Sequence, residues 1–161
     1  MTTTIVPIGY THPAFDQLAA LFDDYRVHYG QPSSPETTRS WLHDQLEQHR
    51  LSAAAAVRAD DVCGFITVMT MPASLMLGTA WSIRDLYVAP RHRRSGIANA
   101  LLQHTIHNAR SAGARRVSLQ TETDNAPALR LYTELGFQPV TGLELLNHSF
   151  DSTGQEPGEA A

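Results

Sequence analysis

Leu86-Tyr87-Val88-Ala89-Pro90-Arg91-His92-Arg93-Arg94-Ser95-Gly96-Ile97-Ala98-Asn99-Ala100-Leu101-Leu102 ends a strand and opens a helix, and it is the most informative stretch of the chain. At such a junction the first backbone N–H groups of the helix have no partner within it. The helix macrodipole adds partial positive charge, so an anion is favoured there. Gly96 removes the Cβ that would hold a phosphate away from the backbone, and small Ala98 continues the clearance. Arg93 and Arg94 can add charge-assisted hydrogen bonds. Taken alone, the same residues also describe an ordinary exposed loop.

Working outward, the loop belongs to a longer alternation. A strand (79–88) leads into it, a helix runs from Gly96 to about Ser111, Gly113 ends that helix, and a strand follows over Arg116 to Thr121. A further helix, Ala126 to Leu135, ends at Gly136 and leads to another strand. Such a βαβα succession requires a partly parallel sheet with a crossover helix. Upstream, residues 3–8 read as a short strand and Pro13 to His28 as a helix burying Phe15, Leu18, Ala19, Leu21, Phe22 and Tyr25. A second helix starts with Ser34 as N-cap and Pro35 at its first position and runs to about Gln48. Segments 51–58, 62–71 and 79–88 form an antiparallel meander, although Ala53 to Ala56 alone would favour helix. Residues 1–150 read as one domain, and the polar stretch 151–161 as a fraying tail.

Composition narrows the function. At 161 residues, with 42% apolar and 17% charged residues, the chain suits one soluble globule. It has no apolar run long enough to span a bilayer and no secretory signal at Met1 to Pro7, so a cytoplasmic location is expected. Cys63 is the only cysteine and sits in an apolar run as a small hydrophobe. A net charge of −4 argues against a general nucleic-acid binder. Yet Arg91, Arg93, Arg94, Arg115 and Arg116 make five of the 12 Lys and Arg residues, a local concentration that points to a small anionic ligand. His104 and His107 stand three apart on a helix without a third ligand, so no metal is expected.

Arg93-x-x-Gly96-x-Ala98 resembles the Arg/Gln-x-x-Gly-x-Gly/Ala signature of the GNAT superfamily of N-acetyltransferases. Downstream, Val117-Ser118-Leu119-Gln120-Thr121, then Asn125, Ala128 and Leu131-Tyr132-x-x-Leu135-Gly136-Phe137, are similar to its second block, N-x-x-A-x-x-L-Y-x-x-x-G-F. The two blocks cover about residues 83–140. Neither a Gly-Lys-Ser/Thr P-loop nor a Gly-x-Gly-x-x-Gly fingerprint is present. The resemblance implies an α/β (α+β) fold: a mixed, mostly antiparallel sheet of about six or seven strands with a splayed parallel pair, flanked by about four helices. It also implies acetyl-CoA or another acyl-CoA as donor. Ala98 stands where many relatives carry Gly, which tightens the approach to the pyrophosphate.

The same resemblance assigns roles. Leu86, Tyr87 and Val88 would bind the pantetheine arm through backbone groups, with an N–H near Leu86 as oxyanion donor. Arg91, Arg93, Arg94, Ser95, Gly96, Ile97, Ala98 and Asn99 would hold the phosphates, and Asn125 would touch the cofactor as well as cap its helix. Tyr132 matches the family tyrosine placed near the thioester sulfur as general acid, although Leu129, Tyr132 and Leu135 also share a face that would simply pack into the core. Asp85 or Glu122, at strand ends, would take the amine's proton, directly or through water. Tyr25 and Tyr29 would border the acceptor.

The expected reaction is acetyl transfer to the primary amine of a small molecule by direct attack in a ternary complex. Three alternatives stay open: another acyl group or a carrier-protein-bound pantetheine thioester as donor, a protein-lysine acceptor, and a non-catalytic acyl-CoA sensor. Dimers through C-terminal strands are common in that family, and Leu143-Glu144-Leu145-Leu146 is the apolar edge where a homodimer would form.

Overall fold

The computed structural model describes residues 2–150. In chain order the elements are β1 (Thr4–Pro7), α1 (Phe15–His28), α2 (Pro35–Glu47), β2 (Ser52–Arg58), β3 (Asp61–Ala73), β4 (Gly78–Val88), α3 (Ile97–Ser111), β5 (Val117–Ser118) and α4 (Ala126–Glu134). The strands form one sheet in the order β1-β2-β3-β4-β5. β1 to β4 are antiparallel to their neighbours and β5 is parallel to β4.

Ala53 to Ala56 do lie in β2, and their burial explains why. Ala53 and Ala55 pack in the core beneath α1 and α2, whereas Ala54 and Ala56 pack in the core beneath α3. A strand covered on both faces offers little room between its helices, and alanine fills it without crowding. Around this strand the two cores are aliphatic and aromatic. On one side Leu18, Phe22 and Leu42 meet Phe65, with the Phe22 and Phe65 rings stacked at 5.2 Å. On the other, Leu101 and Leu102 of α3 are fully buried against Ile66, Val68 and Ile83. Truncating either leucine to alanine falls in the class that costs roughly 2–5 kcal/mol.

The sheet is smaller than the resemblance implies: five strands among the described residues, not six or seven. One expected strand is missing, and another, β5, is counted but short. The strand expected over Arg116 to Thr121 pairs only at Trp81↔Val117 and Ser82↔Ser118, because β4 and β5 part beyond that point. The strand expected after Gly136 does not form. From Gln138 to Phe150 the chain is exposed throughout, and Leu143, Leu145 and Leu146 rest against no sheet edge, so the apolar edge has no strand partner. The expected tail from Asp151 lies outside the described residues. No helix among the described residues is long and apolar enough to cross a membrane.

The turn between α1 and α2 is held by a buried carboxylate. Asp23 of α1 accepts from the Ser33 hydroxyl (2.6 Å), the Ser34 N–H (3.0 Å), the Thr38 hydroxyl (2.7 Å) and the Arg26 guanidinium (3.2 Å). Ser34 occupies the N-cap position with Pro35 next, as expected, but its hydroxyl caps nothing. The Ser33 hydroxyl first, then Thr38, the Ser34 N–H and Arg26, outweigh burial and hold the Asp23 carboxyl down at about 2. Removing it strands several donors, so Asp23→Ala should destabilise the fold by roughly 2–3 kcal/mol in urea titration. A carboxyl lowered on folding stabilises fully above its unfolded value near pH 4 and loses that contribution as pH falls toward 2, where variant and parent should converge.

Candidate active site

The site begins with one extra residue. β3 and β4 pair Val68 with Ile83 and Thr67 with Asp85, which leaves Arg84 without an opposite number. Such a bulge bends its strand and raises its twist. It falls two residues after Ser82, the last residue of β4 that pairs with β5. Beyond it the two parallel strands diverge, and a cavity of about 770 Å³ opens between them. Ile83 to Val88 form one wall and Leu119 to Glu122 with α4 the other, while Tyr25 and His28 from the last turn of α1, Tyr29 just after it, Arg93 and Ala98 complete the lining.

At the α3 end, the loop has the open donors of an anion site. Arg94 and Gly96 both adopt left-handed backbone, at φ 59° and 78°. No side chain caps α3, and the N–H groups from Arg94 to Asn99 donate to no acceptor among the described residues. A Cβ built on Gly96 would meet nothing, so the space before the helix is clear, while the backbone angle itself favours glycine. Arg93 is held in place: its Nε donates to the Val88 carbonyl at 3.0 Å, and its guanidinium lies 5.4 Å over the Tyr87 ring. Ser95 turns its hydroxyl back to the His92 carbonyl at 2.5 Å. A fifteen-residue helix with a bare N-terminus beside a fixed arginine fits the diphosphate of coenzyme A.

At the α1 end, Asp85 is gripped from two sides. The Tyr25 hydroxyl donates to Oδ1 at 2.9 Å, and the hydroxyl of fully buried Thr67 donates to Oδ2. Burial first, then the Asp85 charge and hydrogen bond, push the Tyr25 hydroxyl far above its ordinary value, so it stays a donor. A carboxylate offers about four acceptor positions, which leaves room here for an amine N–H.

On the opposite wall Tyr132 is half-buried. Burial, followed by the nearby Tyr29 and Glu122, raises its hydroxyl above the ordinary range, keeping it protonated at neutral pH. Its placement follows from how α4 ends. Gly136 takes φ 94°, the Phe137 N–H reaches the Tyr132 carbonyl at 2.9 Å, and the Gly136 N–H reaches Thr133 at 3.0 Å. These are the two bonds of a Schellman motif, and its usual hydrophobic contact is the Phe137 ring, 5.9 Å from that of Tyr132. At the other end of α4, Asn125 caps the helix by accepting from the Ala128 N–H at 3.4 Å.

Of the residues singled out from the sequence, Leu86, Tyr87, Val88, Arg93, Ala98, Asn125, Tyr132, Asp85, Glu122, Tyr25 and Tyr29 all line this cavity. Arg91, Arg94, Ser95, Gly96, Ile97 and Asn99 do not. Ile97 is buried in the α3 core and can offer only its N–H, Arg91 bonds its neighbour His92, and Asn99 accepts from Gln103. His28, which closes the first helix beside Tyr25 and Tyr29, lines the cavity with them, whereas sequence reasoning missed Arg84 and Thr67. Thr67 acts through Asp85, and only the pairing of β3 with β4 brings them together. A larger hollow of about 1160 Å³ between α3, β5, α4 and residues 137–145 shares Glu122 and Tyr132 but reaches neither Asp85 nor the loop. On α2, His43, Asp44 and Glu47 bring a ligand atom each within 4.8 Å of one another, a grouping the histidine spacing did not suggest; none lines the cavity.

Comparison with known proteins bears on this geometry. The chain is 30% identical over 125 residues to the uncharacterized N-acetyltransferase YhfO of Bacillus subtilis, covering 78% of this chain and 84% of that one. Streptothricin acetyltransferase of Streptomyces lavendulae is 38% identical over 87 residues, 51% of this chain and 42% of that protein. A crystal structure of a probable acetyltransferase superposes with a TM-score of 0.85 at 31% identity, covering 92% of this chain and 98% of the other. The family model described as Acetyltransferase (GNAT) family matches residues 16–137, from the first turn of α1 to the phenylalanine that locks α4. Because that match embraces both walls of the cavity and not the loop alone, the chain belongs to the acetyltransferase (GNAT) family and is an acyltransferase.

Proposed function

We propose that the protein transfers an acetyl group from acetyl-CoA to the primary amine of a small molecule, by direct attack within a ternary complex. The observation that carries this reading is the pairing of walls. A protonated tyrosine on α4 and a carboxylate fixed on β4 line the same cleft, which Arg93 and Ala98 border beside the uncapped start of α3.

Acetyl-CoA, when bound, supplies an acyl carbon activated as a thioester. The uncapped N–H groups from Arg94 to Asn99 would hold its diphosphate, and the edge of β4 from Ile83 onward, freed of β5, offers backbone groups to the pantetheine arm. An outward N–H near Leu86 would receive the charge that develops on the carbonyl oxygen. A neutral amine would attack the acyl carbon, the C–N bond forming as the C–S bond breaks. Its proton would pass to Asp85 or Glu122, directly or through water, and the Tyr132 hydroxyl would protonate the departing sulfur. Tyr25 and Tyr29, whose rings lie 5.2 Å apart, border the acceptor.

Thiol release with acetyl-CoA across an amine library tests the reaction, and a carrier-protein-loaded donor beside it tests the source of the acyl group. Tyr132→Phe should lower turnover by about 10²-fold while leaving coenzyme A affinity within a few-fold, read by calorimetry. Unchanged turnover at saturating acceptor would return Tyr132 to a packing role. Gly96→Ala should weaken coenzyme A binding by about tenfold, since its left-handed backbone strains any side chain, with little change in acceptor KM. If Asp85→Asn or Glu122→Gln flattens the acidic limb of the pH–rate profile, that residue is the base; if neither does, the proton leaves through water.

A further inference from the structure

Ile83 to Val88 line the cavity without a gap, because the free edge of β4 and not one of its faces forms the wall. Arg84 is the unpaired residue of the bulge between Ile83 and Asp85. A cation and an anion adjacent in the chain therefore both border the cavity.

Two arginines reach this cavity, and they differ. Arg93 is committed to the Val88 carbonyl and the Tyr87 ring. Arg84 is exposed and has neither a hydrogen bond nor an ion pair among the described residues, even to Asp85. Its charge is nonetheless felt at the Tyr25 hydroxyl, the group that donates to Asp85. The acceptor end of the cleft therefore presents a fixed carboxylate and, one residue away, a guanidinium with all its donors unspent. A planar guanidinium of this kind takes a carboxylate by two parallel hydrogen bonds. A second ammonium on the acceptor would instead be repelled.

We propose that Arg84 selects acceptors in which the amine to be acylated carries a carboxylate close by, an amino-acid-like zwitterion whose ammonium group meets Asp85 and whose carboxylate meets Arg84. This rests on the acyl-transfer reading above and adds the acceptor's class to it.

The test uses matched acceptors with acetyl-CoA: α-, β- and γ-amino acids, their carboxamides, diamines of the same length, and an aminoalkyl phosphate. With the parent protein, kcat/KM for at least one amino acid should exceed that for its carboxamide by about tenfold or more, the scale of one charge-assisted pair. Arg84→Gln should remove that preference by lowering the amino acid's kcat/KM alone, leaving the carboxamide rate and coenzyme A affinity unchanged; Arg84→Glu should shift the preference toward the diamine. Equal rates for acid and carboxamide in the parent, an equal fall for both in Arg84→Gln, or a preference for the phosphate would each overturn the assignment. Saturation-transfer NMR with the same acceptors in the presence of coenzyme A reads binding without turnover. Should no acceptor release thiol, the acyl-transfer reading fails, while a carboxylate-dependent signal lost in Arg84→Gln would still support the role of Arg84 and its absence would remove it.

Discussion

The cleft of this molecule depends on two parallel strands failing to stay together. β4 and β5 share only the pairs at Trp81 and Ser82, and the extra residue at Arg84 turns β4 away immediately afterwards. A sheet that continued in register would bury the backbone edge of Ile83 to Val88 in a ladder and leave no cleft. Parting leaves that edge without a partner strand, a cost borne only where other contacts fix it. Here the far side supplies them. β4 keeps ten paired positions with β3, and Asp85 is tied both to Thr67 on β3 and to Tyr25 on α1.

The two ends of the cleft are built on different physics. The α3 end relies on backbone: a glycine in left-handed conformation, a helix start that nothing caps, and an arginine anchored to a carbonyl. The α1 side relies on side chains, with Tyr25, Tyr29, His28 and Tyr87 in edge or tilted ring contacts around the Asp85 carboxylate, and the Arg93 guanidinium over the Tyr87 ring joins the two sides. A long ligand that is anionic at one end and reactive at the other suits such a division, because the backbone end is indifferent to protonation while the other end holds the groups that can move protons.

What could be read in the sequence was local. Gly96 before a helical pattern and Gly136 after one both mark backbone conformations that depend on a few neighbouring residues, and both lie where expected. The Ala53–Ala56 strand was legible from its hairpin partner and not from its own propensity. The rest depends on register. Nothing in Ser82-Ile83-Arg84-Asp85 announces a bulge, since the extra residue exists only relative to β3, and so Arg84 was passed over while its neighbour Asp85 was not. Thr67, eighteen residues from Asp85, was invisible for the same reason. Overreading had a matching cause: Val117 to Thr121 and the residues after Gly136 have strand-like composition, but a strand needs an edge to pair with, and the splay withdraws it from Leu119 onward.

The lock at the end of α4 gives Phe137 a double position. It is the last half-buried residue among the described ones, its ring set against Tyr132, and it precedes a segment that is exposed up to Phe150. Because the same phenylalanine supplies a backbone bond to the Tyr132 carbonyl and a ring contact to its side chain, the orientation of a residue that lines the cleft is set by the position where α4 gives way to the exposed segment.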